Sequence, residues 1–182
     1  HSIAEQRSIT DGRIIPVGKG FVRKPPKRVD YLLRYTHDFP LAVVEAKASY
    51  KKPDDGLQQA MDYAEMLGLK FAYSTNGKGI VEHDYTTGVE SDLSSYPSPE
   101  ELWLRYQKAQ DIRDPEAAKR LLTPFNSQVD KKARYYQLLA INRIVESILK
   151  GNSRVLVTMA TGSGKTTVAF QVCWKLWTSR WN

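Results

Sequence analysis

The stretch Val29–Lys47, VDYLLRYTHDFPLAVVEAK, predicts two β-strands joined by a short connection. Its two halves, Val29–Tyr35 and Leu41–Lys47, are rich in aromatic and branched side chains, which are enriched in strands. Because so few residues separate the halves, we expect an antiparallel hairpin.

Outward from the hairpin, helical and strand patterns alternate. A helix is expected over 53–67 with Gly68 as its stop, followed by strands over 71–75 and 80–85 that an Asn76-Gly77 turn connects. The turn at 86–88 is expected to end this pattern, and the polar stretch 91–99 to leave the sheet. Later elements are short helices over 99–107 and within 111–125, a long helix over 131–150, a buried parallel strand over 155–160 and a helix from Lys165.

The composition is that of a folded, basic protein. The 182 residues are 41% hydrophobic, and 27 Lys and Arg against 20 Asp and Glu give a net charge of +7. This excludes a disordered chain and favours nucleic acid as a partner, although mild basicity without such a role is equally common. The single cysteine, Cys173, excludes an intramolecular disulfide and is expected to be a buried thiol. No signal peptide or membrane span is evident, so a cytoplasmic location is expected, and both chain ends indicate part of a longer protein.

Three charged residues of the hairpin point to hydrolytic chemistry. Glu45 and Lys47 are two apart on one strand and therefore share a face, roughly 6–7 Å apart, while the hairpin brings Asp30 beside Glu45. Two carboxylates suit Mg²⁺, which activates water, and a lysine stabilises charge on a phosphate. The alternative is a solvated charged pair without a catalytic role. The apolar surroundings, and Gln59 and Tyr63 on one face of the next helix, favour a phosphodiester hydrolase site.

The stretch Ala160–Thr166, ATGSGKT, follows an apolar strand and opens a helix, a context in which backbone N–H groups cradle phosphates. Lys165 is expected to contact the β- and γ-phosphates of ATP, and the Thr166 hydroxyl to hold Mg²⁺. Upstream, Arg134–Gln137, RYYQ, resembles the adenine-reading Q motif of superfamily 2 helicases, which makes Gln137 a candidate adenine reader. The alternative is a surface helix that carries two packing tyrosines. The nucleotide-binding candidates are Gln137, Thr161, Gly162, Ser163, Gly164, Lys165 and Thr166. No acidic Walker B-type strand follows, so the chain alone is expected to bind ATP poorly.

A basic loop, Arg23–Arg28, precedes the first strand of the hairpin. Its Lys24 and Lys27 are candidates for phosphate contacts, with a solvated loop as an equal alternative. Arg13 is a further candidate.

The order Asp30, Glu45-Ala46-Lys47, Gln59 and Tyr63 resembles the PD-(D/E)xK nuclease signature with the QxxxY helix of its RecB-like branch. The phrases TDGRI, VDYLL, PLAVVEAKA and GLQQAMDYAEMLG resemble the nuclease domain of the restriction subunit of type I restriction-modification enzymes, and TGSGKT is typical of superfamily 2 helicases. This resemblance implies an α/β fold, with a mixed-sheet restriction-endonuclease-like domain followed by the beginning of a RecA-like P-loop lobe. It implies Mg²⁺ and ATP as cofactors, and double-stranded DNA and methyltransferase and specificity subunits as partners.

The resemblance divides the chain into a nuclease domain over 1–92, a helical connector over 93–127 and a truncated motor lobe over 128–182. The family opens with a helix that carries an acidic residue near the active site. Most of that helix is expected to be missing here, with Glu5 as a candidate remnant that has no assigned place in the site. Val29 stands where the family usually has Pro. Two rival interpretations are a helicase-nuclease of DNA repair, and a DNA-tethering module whose nuclease residues are vestigial.

Overall fold

The computed structural model describes residues 2–9, 14–17, 20–23, 27–126 and 133–180. Within them the strands are β1 (Ser2–Ile9), β2 (Ile14–Val17), β3 (Gly20–Arg23), β4 (Lys27–Thr36), β5 (Phe39–Ala46), β6 (Phe71–Thr75), β7 (Ile80–Asp84) and β8 (Val89–Leu93). The helices are a 3-10 turn at Pro53–Gly56, α1 (Leu57–Leu67), α2 (Pro99–Ala109), α3 (Pro115–Leu122), α4 (Tyr135–Leu149) and α5 (Lys165–Thr178).

A six-stranded mixed sheet has the strand order β1-β4-β5-β6-β7-β8, and β2 and β3 form a separate hairpin. β5 runs parallel to β6, whereas β1 is antiparallel to β4, and β7 is antiparallel to both β6 and β8. Contacts divide the chain into two compact units, one of residues 1–34 and 40–98 and the other of residues 35–39 and 99–182. The mixed α/β fold expected from the sequence is confirmed.

The predicted hairpin is confirmed, since β4 and β5 are hydrogen-bonded neighbours joined by a two-residue turn, which only antiparallel strands allow. Leu41, Ala42 and Val43 are buried because β5 is an interior strand. The parallel neighbour β6 requires a crossover, and the 3-10 turn and α1 supply it.

Helix α1 is confirmed with one difference at its start, because the predicted first turn is a 3-10 turn rather than α-helix. It ends where predicted, at Gly68, whose φ of 64° is the left-handed conformation that terminates many helices. Leu57, Ala60 and Tyr63 belong to its buried face, which fixes how the helix meets the sheet.

The expectation that 91–99 leaves the sheet is partly wrong, and Glu5 is not in a helix. Val89–Leu93 forms β8, whose polar residues are tolerated because an edge strand has one neighbour and a solvated face. Glu5 lies on β1 opposite Tyr31 and is exposed.

The predicted buried strand over 155–160 is also wrong. This segment has no strand pairing, and the side chain of Leu156 is 94% exposed. Apolar residues favour a strand only when a neighbouring strand accepts their backbone hydrogen bonds, and the described residues offer none here.

Cys173 is exposed, which corrects the expectation of a buried thiol. The buried face of α5 consists of Val168, Gln171, Val172 and Lys175, and Cys173 does not fall on it. Among the described residues, no helix combines the length and the apolar character needed to cross a membrane.

Lys175 fixes α5, the helix that follows the glycine-containing turn at 161–164, to its neighbours. Its side chain is 1% exposed, and its Nζ donates to the backbone oxygen of Leu121 at 2.8 Å and to Oδ1 of Asn142 at 3.4 Å. The same ammonium lies 5.1 Å from the centre of the Phe125 ring. Burial lowers the pKa of Lys175 to about 8, while the Asp38 carboxylate acts in the opposite direction.

The pKa of Lys175 predicts a pH-dependent stability. Between pH 8 and the ordinary lysine value of 10.5, the unfolded chain binds a proton that the folded chain lacks, so stability rises with pH. Relative to Lys175→Met, the free energy of unfolding of the wild type is expected to rise by about 3 kcal/mol across this window. Urea unfolding at several pH values measures it, and parallel curves for the two proteins would contradict it.

Candidate active site and phosphate loop

Asp30, Glu45 and Lys47 meet at the end of β5, as the sequence predicts. Glu45 is 4% exposed, and its Oε1 accepts a hydrogen bond from Nζ of Lys47 at 2.8 Å. Its second oxygen, Oε2, is buried without a hydrogen-bond partner. Oδ2 of Asp30 accepts a hydrogen bond from the backbone N–H of Ala46 at 2.9 Å, which holds the Asp30 carboxylate against β5.

Helix α1 adds two side chains that hold Lys47 in place. Nζ of Lys47 donates to Oε1 of Gln59 at 2.9 Å, and Nε2 of Gln59 donates to the Tyr63 hydroxyl at 2.9 Å. Lys27, from the predicted basic loop, begins β4, and its Nζ lies 5.8 Å from the centre of the Tyr63 ring. Two further candidates, Lys24 and Arg13, lie outside the described residues.

The electrostatics of the site suit a divalent cation. The pKa of Glu45 is raised, first because burial disfavours its charge and further because the Asp30 carboxylate interacts with it, whereas Lys47 opposes the rise. An unpartnered buried oxygen beside a second carboxylate is the kind of donor that a hard cation such as Mg²⁺ needs. No cluster of three or more His, Cys, Asp or Glu occurs in the described ranges, so water and substrate oxygens would complete the coordination, as Mg²⁺ favours.

Two residues of the site escaped the sequence analysis, Gly56 and Ser74. Ser74 lies on β6 opposite Glu45, and its buried hydroxyl accepts a hydrogen bond from the Gly56 N–H at 3.1 Å. A Cβ atom on Gly56 would lie 2.7 Å from Oγ of Ser74, 2.9 Å from Cε of Lys47 and 3.0 Å from Cγ of Glu45. Absence of a side chain at Gly56 therefore lets the crossover pack directly on the two charged side chains. The sequence signal was a glycine inside a predicted helix, which often marks a close approach.

Gly56→Ala is expected to reduce phosphodiester cleavage about 10²-fold, because the added methyl group displaces the Lys47 amine and the Glu45 carboxylate. It should also lower the free energy of unfolding by about 1–3 kcal/mol, as overpacking does. Comparison of the cleavage rate constant with thermal stability separates the two effects.

The matched control is Gly88→Ala in the turn between β7 and β8, where the φ of 73° strains any side chain and the added Cβ lies away from the charged side chains. It should destabilise the chain similarly and preserve most of the cleavage rate. Equal loss of cleavage in both variants would show that Gly56 has no specific effect on the site.

The candidate phosphate loop consists of Thr161–Gly164, immediately before α5. Gly162 and Gly164 have φ values of 75° and 89°, which side chains rarely adopt. Nζ of Lys165 donates to the backbone oxygens of Met159 and Ala160 at 3.1 and 3.2 Å. Thr166 is exposed in the first turn of α5, so both predicted phosphate-binding side chains lie at this helix N-terminus.

Gln137 is buried against the phosphate loop in this structure. Its Oε1 accepts a hydrogen bond from the backbone N–H of Arg134 at 2.9 Å, and its Nε2 donates to the backbone oxygen of Ser163 at 2.9 Å. The Tyr136 hydroxyl donates to the same oxygen at 3.2 Å. The start of α4 is therefore linked directly to the loop, a connection that the sequence did not indicate.

Comparison with known proteins identifies the relatives of this chain. It is 36% identical over 98% of its length to an Escherichia coli protein, the type I restriction enzyme EcoAI endonuclease subunit. The chain is a relative of type I restriction endonuclease subunits. A second Escherichia coli relative, the EcoKI endonuclease subunit, is 25% identical over 83% of the chain. The predicted resemblance is thus confirmed.

Structural and family comparisons agree with this relationship. A fragment structure of a putative HsdR subunit of a type I restriction enzyme from Vibrio vulnificus YJ016 covers the whole chain with a TM-score of 0.88 and 54% identity. Residues 130–182 match the family model described as type III restriction enzyme, res subunit. The chain spans 23% of the EcoAI subunit, 14% of the EcoKI subunit and 34% of the Vibrio chain.

Proposed function

We propose that this chain carries the nuclease site, and the beginning of the ATP-dependent motor, of a DNA-cleaving and DNA-translocating subunit of a type I restriction-modification enzyme. The observation that carries the proposal is the unpartnered Oε2 of Glu45, which is buried beside Asp30. Next to it, Lys47 is held by hydrogen bonds to Oε1 of Glu45 and to Gln59. A buried carboxylate oxygen without a hydrogen-bond partner costs free energy, so a site that retains one is a candidate for ion binding and catalysis.

In the proposed reaction, Asp30 and Glu45 would hold Mg²⁺, which would lower the pKa of a water and neutralise charge on the scissile phosphate. Lys47 donates to Glu45 and Gln59, which leaves one of its three N–H groups for a phosphate oxygen. Charge that develops on that oxygen in the transition state is stabilised by the fixed ammonium. Tyr63 orients the Gln59 amide, so its contribution is to position Lys47.

For the motor segment we propose that ATP binds at Thr161–Thr166. In this structure the ammonium of Lys165 donates to backbone oxygens of Met159 and Ala160. When ATP binds, it would donate to the β- and γ-phosphates instead. Recognition of adenine by Gln137 would require the amide to leave the Ser163 oxygen, so base binding and the loop conformation would be coupled.

The proposed partners are double-stranded DNA and the methyltransferase and specificity subunits, in the cytoplasm. The test is reconstitution of the full-length subunit with these partners, followed by measurement of ATP- and Mg²⁺-dependent cleavage of methylated and unmethylated DNA. Cleavage of the unmethylated DNA alone is expected. Equal cleavage of both substrates, or full motor activity without the partners, would instead indicate a helicase-nuclease of DNA repair.

A further inference from the structure

We propose that two loops beside the candidate active site, residues 48–52 and 76–79, form a single surface that binds the phosphate backbone of duplex DNA next to the cleaved bond. The exposed side chains that would contact DNA are Tyr50, Lys51, Lys52 and Lys78, which together we call the backbone grip. This inference rests on the proposed nuclease function and adds to it the surface that holds the substrate.

The sheet places both loops at the edge where Glu45 and Lys47 lie. β5 and β6 are parallel, so the loops that follow them emerge from the same edge. Ala46 is opposite Thr75, and the backbone N–H of Lys47 donates to the backbone oxygen of Thr75 at 2.8 Å. The first loop therefore directly follows Lys47, and Tyr50 lies three residues beyond Lys47.

Asn76 joins the two loops into one surface. Its side chain is 7% exposed, and its Nδ2 donates to the backbone oxygen of Lys51 at 2.7 Å. Its Oδ1 accepts hydrogen bonds from the N–H groups of Lys78 and Gly79 at 2.9 and 3.0 Å. Thr75 orders the second loop further, since its hydroxyl donates to the Gly79 oxygen at 2.7 Å. A loop that only keeps a protein soluble does not need hydrogen bonds that fix its conformation. A cationic surface that is already ordered loses less conformational entropy when it binds a ligand.

The exposed side chains on this ordered surface are available to bind a polyanion. Tyr50 is 86% exposed, and within the described part of the chain the ammonium groups of Lys51, Lys52 and Lys78 make no ion pair. Asp54 and Asp55 follow on the 3-10 turn, and the Asp55 carboxylate accepts a hydrogen bond from the Lys52 N–H at 3.2 Å.

The chemistry of these side chains fits phosphate better than bases. Lysine ammonium groups and tyrosine hydroxyls are common donors to phosphate oxygens, and such contacts fix the position of a duplex without reading its sequence. Neutralisation of phosphates also releases counterions, which makes the contribution of each lysine visible in the salt dependence of binding. The backbone grip would thus set the distance of the scissile phosphate from Lys47.

The test measures duplex binding by the full chain with fluorescence anisotropy at several salt concentrations. The double variant Lys51→Gln and Lys78→Gln is expected to reduce the slope of log K against log salt by about 2, since each lost phosphate contact removes about 0.9. Tyr50→Ala should weaken binding without changing the slope. The matched control is Lys70→Gln, since Lys70 precedes β6 and so lies at the opposite end of that strand from Lys78; its slope should equal that of the wild type.

The inference would be overturned if the salt slope of the double variant equalled those of the wild type and Lys70→Gln. It would also be overturned if the double variant bound DNA normally but no longer assembled with partner subunits. Failure of the proposed function itself has a different signature. In that case Mg²⁺-dependent cleavage by the reconstituted complex would be unchanged in Asp30→Asn, whatever the salt slope of the double variant. Loss of cleavage in Asp30→Asn together with an unchanged salt slope would reject the backbone grip alone.

Discussion

Lys47→Ala is expected to reduce DNA cleavage by the reconstituted restriction complex about 10²–10³-fold, with ATP turnover unchanged. Removal of one preorganised donor to a developing oxyanion costs about this much in other enzymes. The effect should be large here because Lys47 is held by Glu45 and Gln59 and so needs little reorganisation during the reaction. Single-turnover cleavage of a plasmid measures the rate constant.

Two companion variants separate chemistry from folding. Gln59→Ala removes the hydrogen bond to Lys47 but keeps its charge, so a smaller loss, about 10-fold, is expected. Lys70→Ala removes a lysine at the far end of β6 and should leave cleavage unchanged. A cleavage rate in Lys47→Ala within twofold of the wild type would favour the alternative of a tethering module with a vestigial site.

Lys165→Ala is expected to reduce ATP turnover at least about 10²-fold and to leave the fold intact. In the proposed nucleotide complex its ammonium neutralises charge on the β- and γ-phosphates, and no other described side chain of the phosphate loop is cationic. Lys165 is exposed and donates only to backbone oxygens of Met159 and Ala160, so its loss should cost little stability. ATP hydrolysis by the full-length subunit on DNA, together with thermal unfolding, measures both properties.

The control for the motor site is a pair of variants at Thr166. Thr166→Ser retains the hydroxyl that is proposed to hold Mg²⁺ and should keep most of the turnover, whereas Thr166→Ala should lose it. ATP turnover in Lys165→Ala close to the wild-type value would contradict the proposed phosphate-binding role of this loop.

Elements with strong local signals could be predicted from the sequence. The β4–β5 hairpin follows from dense branched residues around a short turn, and α1 follows from its apolar periodicity and the Gly68 stop. Asp30, Glu45, Lys47, Gln59 and Tyr63 met as expected because strand and helix spacing fixed which side chains share a face.

Features that depend on distant neighbours could not be predicted in this way. Despite its polar residues, β8 is a strand because β7 pairs with it. The apolar segment 155–160 is not a strand because no described strand pairs with it. The role of Gly56 depends on the approach of Lys47 and Ser74, which are remote in sequence. Gln137 has the residue type expected of an adenine reader, yet only the structure reveals its hydrogen bond to Ser163.

Occupancy of the carboxylate pair by a cation tests the proposed active site most directly. Crystals of the chain soaked in Mn²⁺, measured with anomalous X-ray diffraction, should give a peak between the Asp30 carboxylate and the unpartnered Oε2 of Glu45. Crystals of Glu45→Gln treated identically should lack that peak. Wild-type crystals without a peak at this position, at a Mn²⁺ concentration that supports DNA cleavage, would contradict the assignment of Asp30 and Glu45 as the metal ligands.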